Sequence, residues 1–129
     1  MEAIGSGADA VRQRAFQVAL DGRRSFGSSR RARVVHLEVE RGEDELGDLA
    51  KRLEAVAVEA GLAPEERDYH PHLTLARARD RGGLPLPGDL PLPPPLPPFQ
   101  VEAFQLYRSD LHRSGSVYTV IRAFHMLSA

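Results

Sequence analysis

The sequence contains no cysteine, which excludes disulfides, thiolate zinc sites and cysteine nucleophiles together. No apolar run approaches the ~20 residues that cross a bilayer, and the N-terminus lacks the apolar stretch of a signal peptide. The expectation is a cytoplasmic protein with no membrane partner. A strong charge of one sign is also missing. The net charge is −1, so there is no global basic field of the kind many nucleic-acid binders carry, and any RNA contact has to be local. Lysine is nearly absent: Lys51 is the single one, and the other cations are arginines, whose planar fork suits bidentate phosphate contacts.

What remains is 129 residues, 42% of them hydrophobic, enough for one domain (1–129) with its own core. Residues 1–10 are small and polar, with Gly5 and Gly7, and are expected to fray. Phe16, Val18 and Leu20 alternate with Ala15, Gln17 and Ala19, the period of a half-buried strand. Arg23 to Arg33, rich in Arg, Ser and Gly around Phe26, reads as a loop. Arg33 to Glu40, with Val34, Val35, Leu37 and Val39, reads as a second strand. Glu43 to Ala60 has helical spacing, with Leu46, Leu49, Leu53, Val56 and Ala57 on one stripe. Glu43, Asp44 and Glu45 suit its N-terminal dipole, and Gly61 its C-cap. Residues 82–98 are dominated by Gly, Leu and Pro, which excludes helix interior and central strand and leaves an extended loop. Its P-x-x-P spacings fit that stiff connection better than a docking motif. Phe99 to Arg108 changes phase near Ala103, the sign of a bulge. Val117 to Phe124 is a last strand, joined to it by a loose turn. Strands with one long helix make an α+β fold with a largely antiparallel sheet.

The chemistry-bearing residues concentrate in His70-Pro71-His72-Leu73-Thr74-Leu75-Ala76-Arg77. On a strand, His70, His72, Thr74 and Ala76 share one face, and Pro71, Leu73 and Leu75 share the other. The leucine face is expected in the core, leaving an imidazole and a hydroxyl placed around the same anion. Strict alternation puts Arg77 on the leucine face unless a bulge intervenes. On the residues alone, a solvated strand edge fits the pattern equally well. His70 and His72 at i, i+2 could also be metal ligands, but no carboxylate or third histidine has obvious ligand spacing, although Asp68 is near; no metal is expected. His36 on a Val-rich strand reads as a satisfied edge or core histidine, and His112 and His125 as surface residues. Arg23, Arg24, Arg30, Arg31 and Arg33 form a local basic cluster, suited either to RNA phosphates or to solvent.

His72-Leu73-Thr74-Leu75 resembles the H-x-T-x motif of the two-histidine (2H) phosphoesterases. The flanking Tyr69-His70-Pro71 and Ala76-Arg77 resemble the branch of RNA 2′,3′-cyclic phosphodiesterases, also called 2′–5′ RNA ligases. The helix before the motif, and the run from Phe99-Gln100-Val101 to Leu106-Tyr107-Arg108-Ser109, Gly115 and Tyr118, extend the resemblance over nearly the whole chain. It implies a bilobal α+β fold with an H-x-T-x motif in each lobe. It implies metal-independent opening of 2′,3′-cyclic phosphate ends to a 2′-phosphate, with reversal to 2′–5′ ligation, and no cofactor. His72 would be an acid/base histidine and Thr74 a phosphate ligand. Arg77 would be a phosphate contact, His70 a structural neighbour at the substrate, and Arg30 and Arg31 would border the cleft. RNA ends or nucleoside 2′,3′-cyclic phosphates would be the partners.

One departure stands out: these residues hold a single H-x-T, the one at His72. The expectation is therefore a family fold with an incomplete N-terminal lobe. Three readings follow. The chain is an active phosphodiesterase, or an impaired homologue that binds RNA ends and phosphates, or a lobe that completes itself as a homo-oligomer through an exposed sheet.

Overall fold

The alternating run from Phe16 does form a strand, and it continues past the expected Asp21-Gly22 turn. In the computed structural model, which describes residues 2–27, 31–79, 84–85 and 96–128 and leaves out the side chains of 21–27, 31–33 and 84–85, β1 spans Phe16–Gly27 and β2 spans Arg31–Arg41. They pair antiparallel from Ala19↔Arg41 to Gly27↔Ala32. The segment expected as a loop from Arg23 to Arg33 is thus mostly strand. Its Arg/Ser/Gly composition is overridden by pairing with the Val-rich β2, since strand preference is set more by cross-strand context than by intrinsic propensity.

Helix α2, Glu43–Glu59, follows β2 through Gly42, whose φ is +90° and whose carbonyl accepts the first helical bond from Leu46 at 2.9 Å. At the other end Gly61, φ +103°, donates to the Val58 carbonyl, and Leu62 donates to that of Ala57. These are the two bonds of a Schellman motif, which satisfies the last carbonyls of the helix.

After α2 come β3 (His72–Arg77), β4 (Leu84–Pro85), β5 (Phe99–Val101), β6 (Ala103–His112) and β7 (Gly115–His125). The chain divides into two compact units. One consists of Gln17–Leu46 and Tyr69–Phe99. Here β3 and β4 pair antiparallel with β2 on the sheet that β1 also joins. Val18, Val35, Leu37 and Val39 are buried. The leucine face of β3 is not: Leu73 and Leu75 are 46% and 51% exposed. This corrects the expectation of a core face. Among the described residues β3 ends its sheet and pairs with β2 alone, and all six of its residues are exposed.

The other unit consists of Met1–Phe16, Gly47–Asp68 and Gln100–Ala129. β6 and β7 form a two-stranded antiparallel hairpin from Ala103↔His125 to His112↔Gly115. The expected loose connection is a tight turn at Arg113 and Ser114, with Gly115 at φ +125°, and His112 belongs to the strand. The phase change near Ala103 appears as a break at Glu102, between β5 and β6. Phe124 is buried, stacks on Phe104 at 5.1 Å and lies under the Arg122 guanidinium at 4.8 Å.

The start expected to fray is helix α1, Glu2–Asp9. Asp9 receives Arg122 Nη2 at 2.6 Å. A Cβ on Gly7 would meet Val56 Cγ1 at 2.7 Å, so the glycine that suggests disorder in sequence is what lets α1 lie against α2. Gly7→Val should lower stability by about 1–3 kcal/mol through overpacking, measured as a shift in urea midpoint. No helix among the described residues is long and apolar enough to cross a membrane.

Candidate active site

Antiparallel register assembles the site. β2 alternates Val35, Leu37 and Val39 toward one face and Val34, His36 and Glu38 toward the other. Across the ladder, His36 stands opposite Thr74 and Glu38 opposite His72. Directly opposed residues project to the same face, so His36, Glu38, His72 and Thr74 converge, with His70 at the entry to β3. The register shifts between Val35 and His36, because Val35 pairs with Ala76 and His36 with Thr74. Leu75 is the extra residue. This bulge resets the alternation and brings Arg77 opposite Val34, in phase with His36 and Glu38 rather than with Leu73.

Three imidazoles cluster there. His36 and His72 ring centroids lie 5.1 Å apart, His36 and His70 5.8 Å, and His70 and His72 5.6 Å, the last pair stacked. His36 is 1% exposed, on a strand flanked by pairing on both edges. Its Nε2 donates to Glu38 Oε1 at 3.0 Å, and His70 Nε2 lies 3.2 Å from Glu38 Oε2. The carboxylate therefore bridges two imidazoles. The hydrogen bond from His36 holds the Glu38 carboxyl below its usual range against the opposing effect of burial, and the charge of His70 adds to the lowering.

His72 Nδ1 lies 2.5 Å from the His70 carbonyl oxygen. A carbonyl can only accept, so Nδ1 carries the hydrogen of this bond. His72 and Thr74 are both exposed.

Of the residues singled out in the sequence, His70, His72 and Thr74 are brought together and Arg77 is in phase with them. Arg30 lies outside the described residues, and Arg31 is described as backbone alone, at the β2 end that pairs with β4. Sequence reasoning read His36 as a satisfied edge or core histidine, as its burial and its bond to Glu38 show it to be, but did not place it beside the motif, and it did not single out Glu38. The signal was present as His36-Leu37-Glu38, an i, i+2 polar pair inside an otherwise apolar strand. Only the β2–β3 register shows that this pair meets the motif. The third histidine and the carboxylate with no obvious ligand spacing to His70 in sequence are supplied by this neighbouring strand.

Fold and motif together define an α+β protein of the two-histidine phosphoesterase class. The family described as "2'-5' RNA ligase superfamily" matches residues 2–113, and the chain belongs to that superfamily. It is 30% identical over 125 residues to an RNA 2',3'-cyclic phosphodiesterase of Aeropyrum pernix, covering 92% of this chain and 69% of the relative. It is 36% identical over 115 residues to one of Methanothermobacter thermautotrophicus, covering 86% and 61%. Among solved structures, E. coli LigT in its apo form superposes with a TM-score of 0.78 at 28% identity, over 98% of this chain and 67% of that one. LigT complexed with 3'-AMP gives 0.75 at 28% identity, over 97% and 67%. The chain thus spans about two thirds of the length of these relatives.

Proposed function

We propose that this chain acts on RNA 2′,3′-cyclic phosphate ends, opening the ring to a 2′-phosphate by proton transfer at His72. The observation that carries the reading is the β2–β3 register, which sets His72 opposite Glu38 and Thr74 opposite His36, so that an imidazole and a hydroxyl share one exposed strand face. Water attacks phosphorus, the P–O3′ bond breaks in line with the attack, and O3′ leaves with a proton. Two proton transfers are needed, one from the attacking water and one to the departing O3′; His72 carries one of them and solvent water the other. The Thr74 hydroxyl donates to a phosphate oxygen and Arg77 neutralises charge as it develops. With an RNA 5′-hydroxyl in place of water, the same displacement forms a 2′–5′ linkage. RNA ends are the partner, and the negative phosphate is recognised locally, in keeping with the net charge of −1.

None of these steps routes through a metal, so turnover of a nucleoside 2′,3′-cyclic phosphate should persist in excess chelator. Thr74→Val should lower kcat/KM by about 10- to 100-fold, the cost of a hydrogen bond to a charged group. Turnover that is abolished by chelator, or indifferent to Thr74→Val, would overturn the reading. Binding of phosphate-ended RNA without turnover would leave the face as a recognition site alone.

A further inference from the structure

We propose that His36, Glu38 and His70 form a binding site for a transition-metal dication of the Zn²⁺ type. Among the described residues, these three each offer one ligand atom, and the atoms lie within 4.8 Å of one another. Donors around tetrahedral zinc, with bonds of 2.0–2.1 Å, sit roughly 3.3 Å apart. The His36 Nε2 to Glu38 Oε1 and His70 Nε2 to Glu38 Oε2 separations are 3.0 and 3.2 Å. Each imidazole thus stands at coordination-shell distance from a different oxygen of the one carboxylate, and a cation held by all three side chains would displace the hydrogen that His36 Nε2 gives to Glu38. The scaffold is also preorganised. His36 is buried on a strand paired on both edges, Glu38 follows two residues later on the same face, and buried Pro71 holds the chain next to His70. Two imidazoles and one carboxylate suit zinc, and disfavour Mg²⁺ and Ca²⁺, which take oxygen ligands. The site adjoins His72, whose ring centroid is 5.1 Å from that of His36. The proton-transfer reading does not depend on it.

The test is binding, so it stands or falls apart from turnover. Metal-free chain is titrated with Zn²⁺ against a chromophoric chelator, and with Mg²⁺ for comparison. One Zn²⁺ per chain should bind at about 1 μM or tighter, and Mg²⁺ should not compete. Because His36 is buried, its removal would confuse loss of a ligand with loss of fold. The part-exposed residues carry the test instead: Glu38→Gln and His70→Ala should each weaken Zn²⁺ at least about tenfold, while His112→Ala, on the hairpin, should bind as the parent does. Absence of 1:1 binding, or parent-like affinity in both Glu38→Gln and His70→Ala, would overturn the proposal.

Discussion

His72→Ala should slow turnover of a nucleoside 2′,3′-cyclic phosphate by at least about 10²-fold, and by as much as about 10⁴-fold, the range for removing one acid/base group. The same substitution should leave the thermal midpoint close to that of the parent. His72 is exposed, and its ring contacts those of His70 and His36 at 5.6 and 5.1 Å between centroids, with a hydrogen bond to the carbonyl of His70, itself an exposed residue. Rate and stability should therefore separate cleanly. A variant that loses both together would mean that the imidazole holds β3 in place rather than moving protons. A variant that keeps its rate would remove His72 from the chemistry.

Gly42→Ala should be among the most damaging single-atom-scale changes in the unit that carries the site, lowering stability by about 3 kcal/mol or more. Two costs act together. At φ +90° an L side chain is strained by about 1–3 kcal/mol. In addition, its Cβ would lie 2.4 Å from the Gln17 carbonyl oxygen and 3.1 Å from Val18 Cγ2, and backbone cannot swing aside as the end of a flexible side chain can. Gly47, inside α2, has nothing within 4 Å of an added Cβ. Gly47→Ala should therefore stabilise the chain by up to about 1 kcal/mol, as expected of a helix interior. Urea unfolding of the two variants beside the parent checks the contrast. Equal effects of the two would contradict the role assigned to Gly42 in turning β2 into α2.

The elements with strong periodicity were legible before the structure. The helix read as Glu43 to Ala60 is Glu43–Glu59, and the strand read as Arg33 to Glu40 is Arg31–Arg41, because period, acidic start and Gly61 cap all agree there. Local composition misled where tertiary contact decides. Gly5 and Gly7 signal a frayed start, yet α1 forms because Gly7 admits Val56. Arg, Ser and Gly signal a loop after Leu20, yet β1 runs on to Gly27 by pairing with β2. The motif face of β3 could be read from alternation alone, because His70, His72 and Thr74 are local in sequence. Its partners on β2 could not. Whether His36 and Glu38 meet His72, and whether Arg77 joins them, depends on strand register and on the bulge at Leu75. Register is a non-local property that no single strand encodes.

The central claim is that the face of β3 carrying His72 and Thr74 receives a ribose-linked phosphate. The direct measurement is a titration of a nucleoside 2′-phosphate onto chain labelled with nitrogen-15 in its imidazoles, followed by NMR. The account predicts saturable movement of the His72 ring signals, still signals for His112 and His125, and a dissociation constant raised about tenfold or more in Thr74→Val. Movement confined to His112 or His125, or no movement at several millimolar ligand, roughly the weakest affinity a specific site would show, would contradict it.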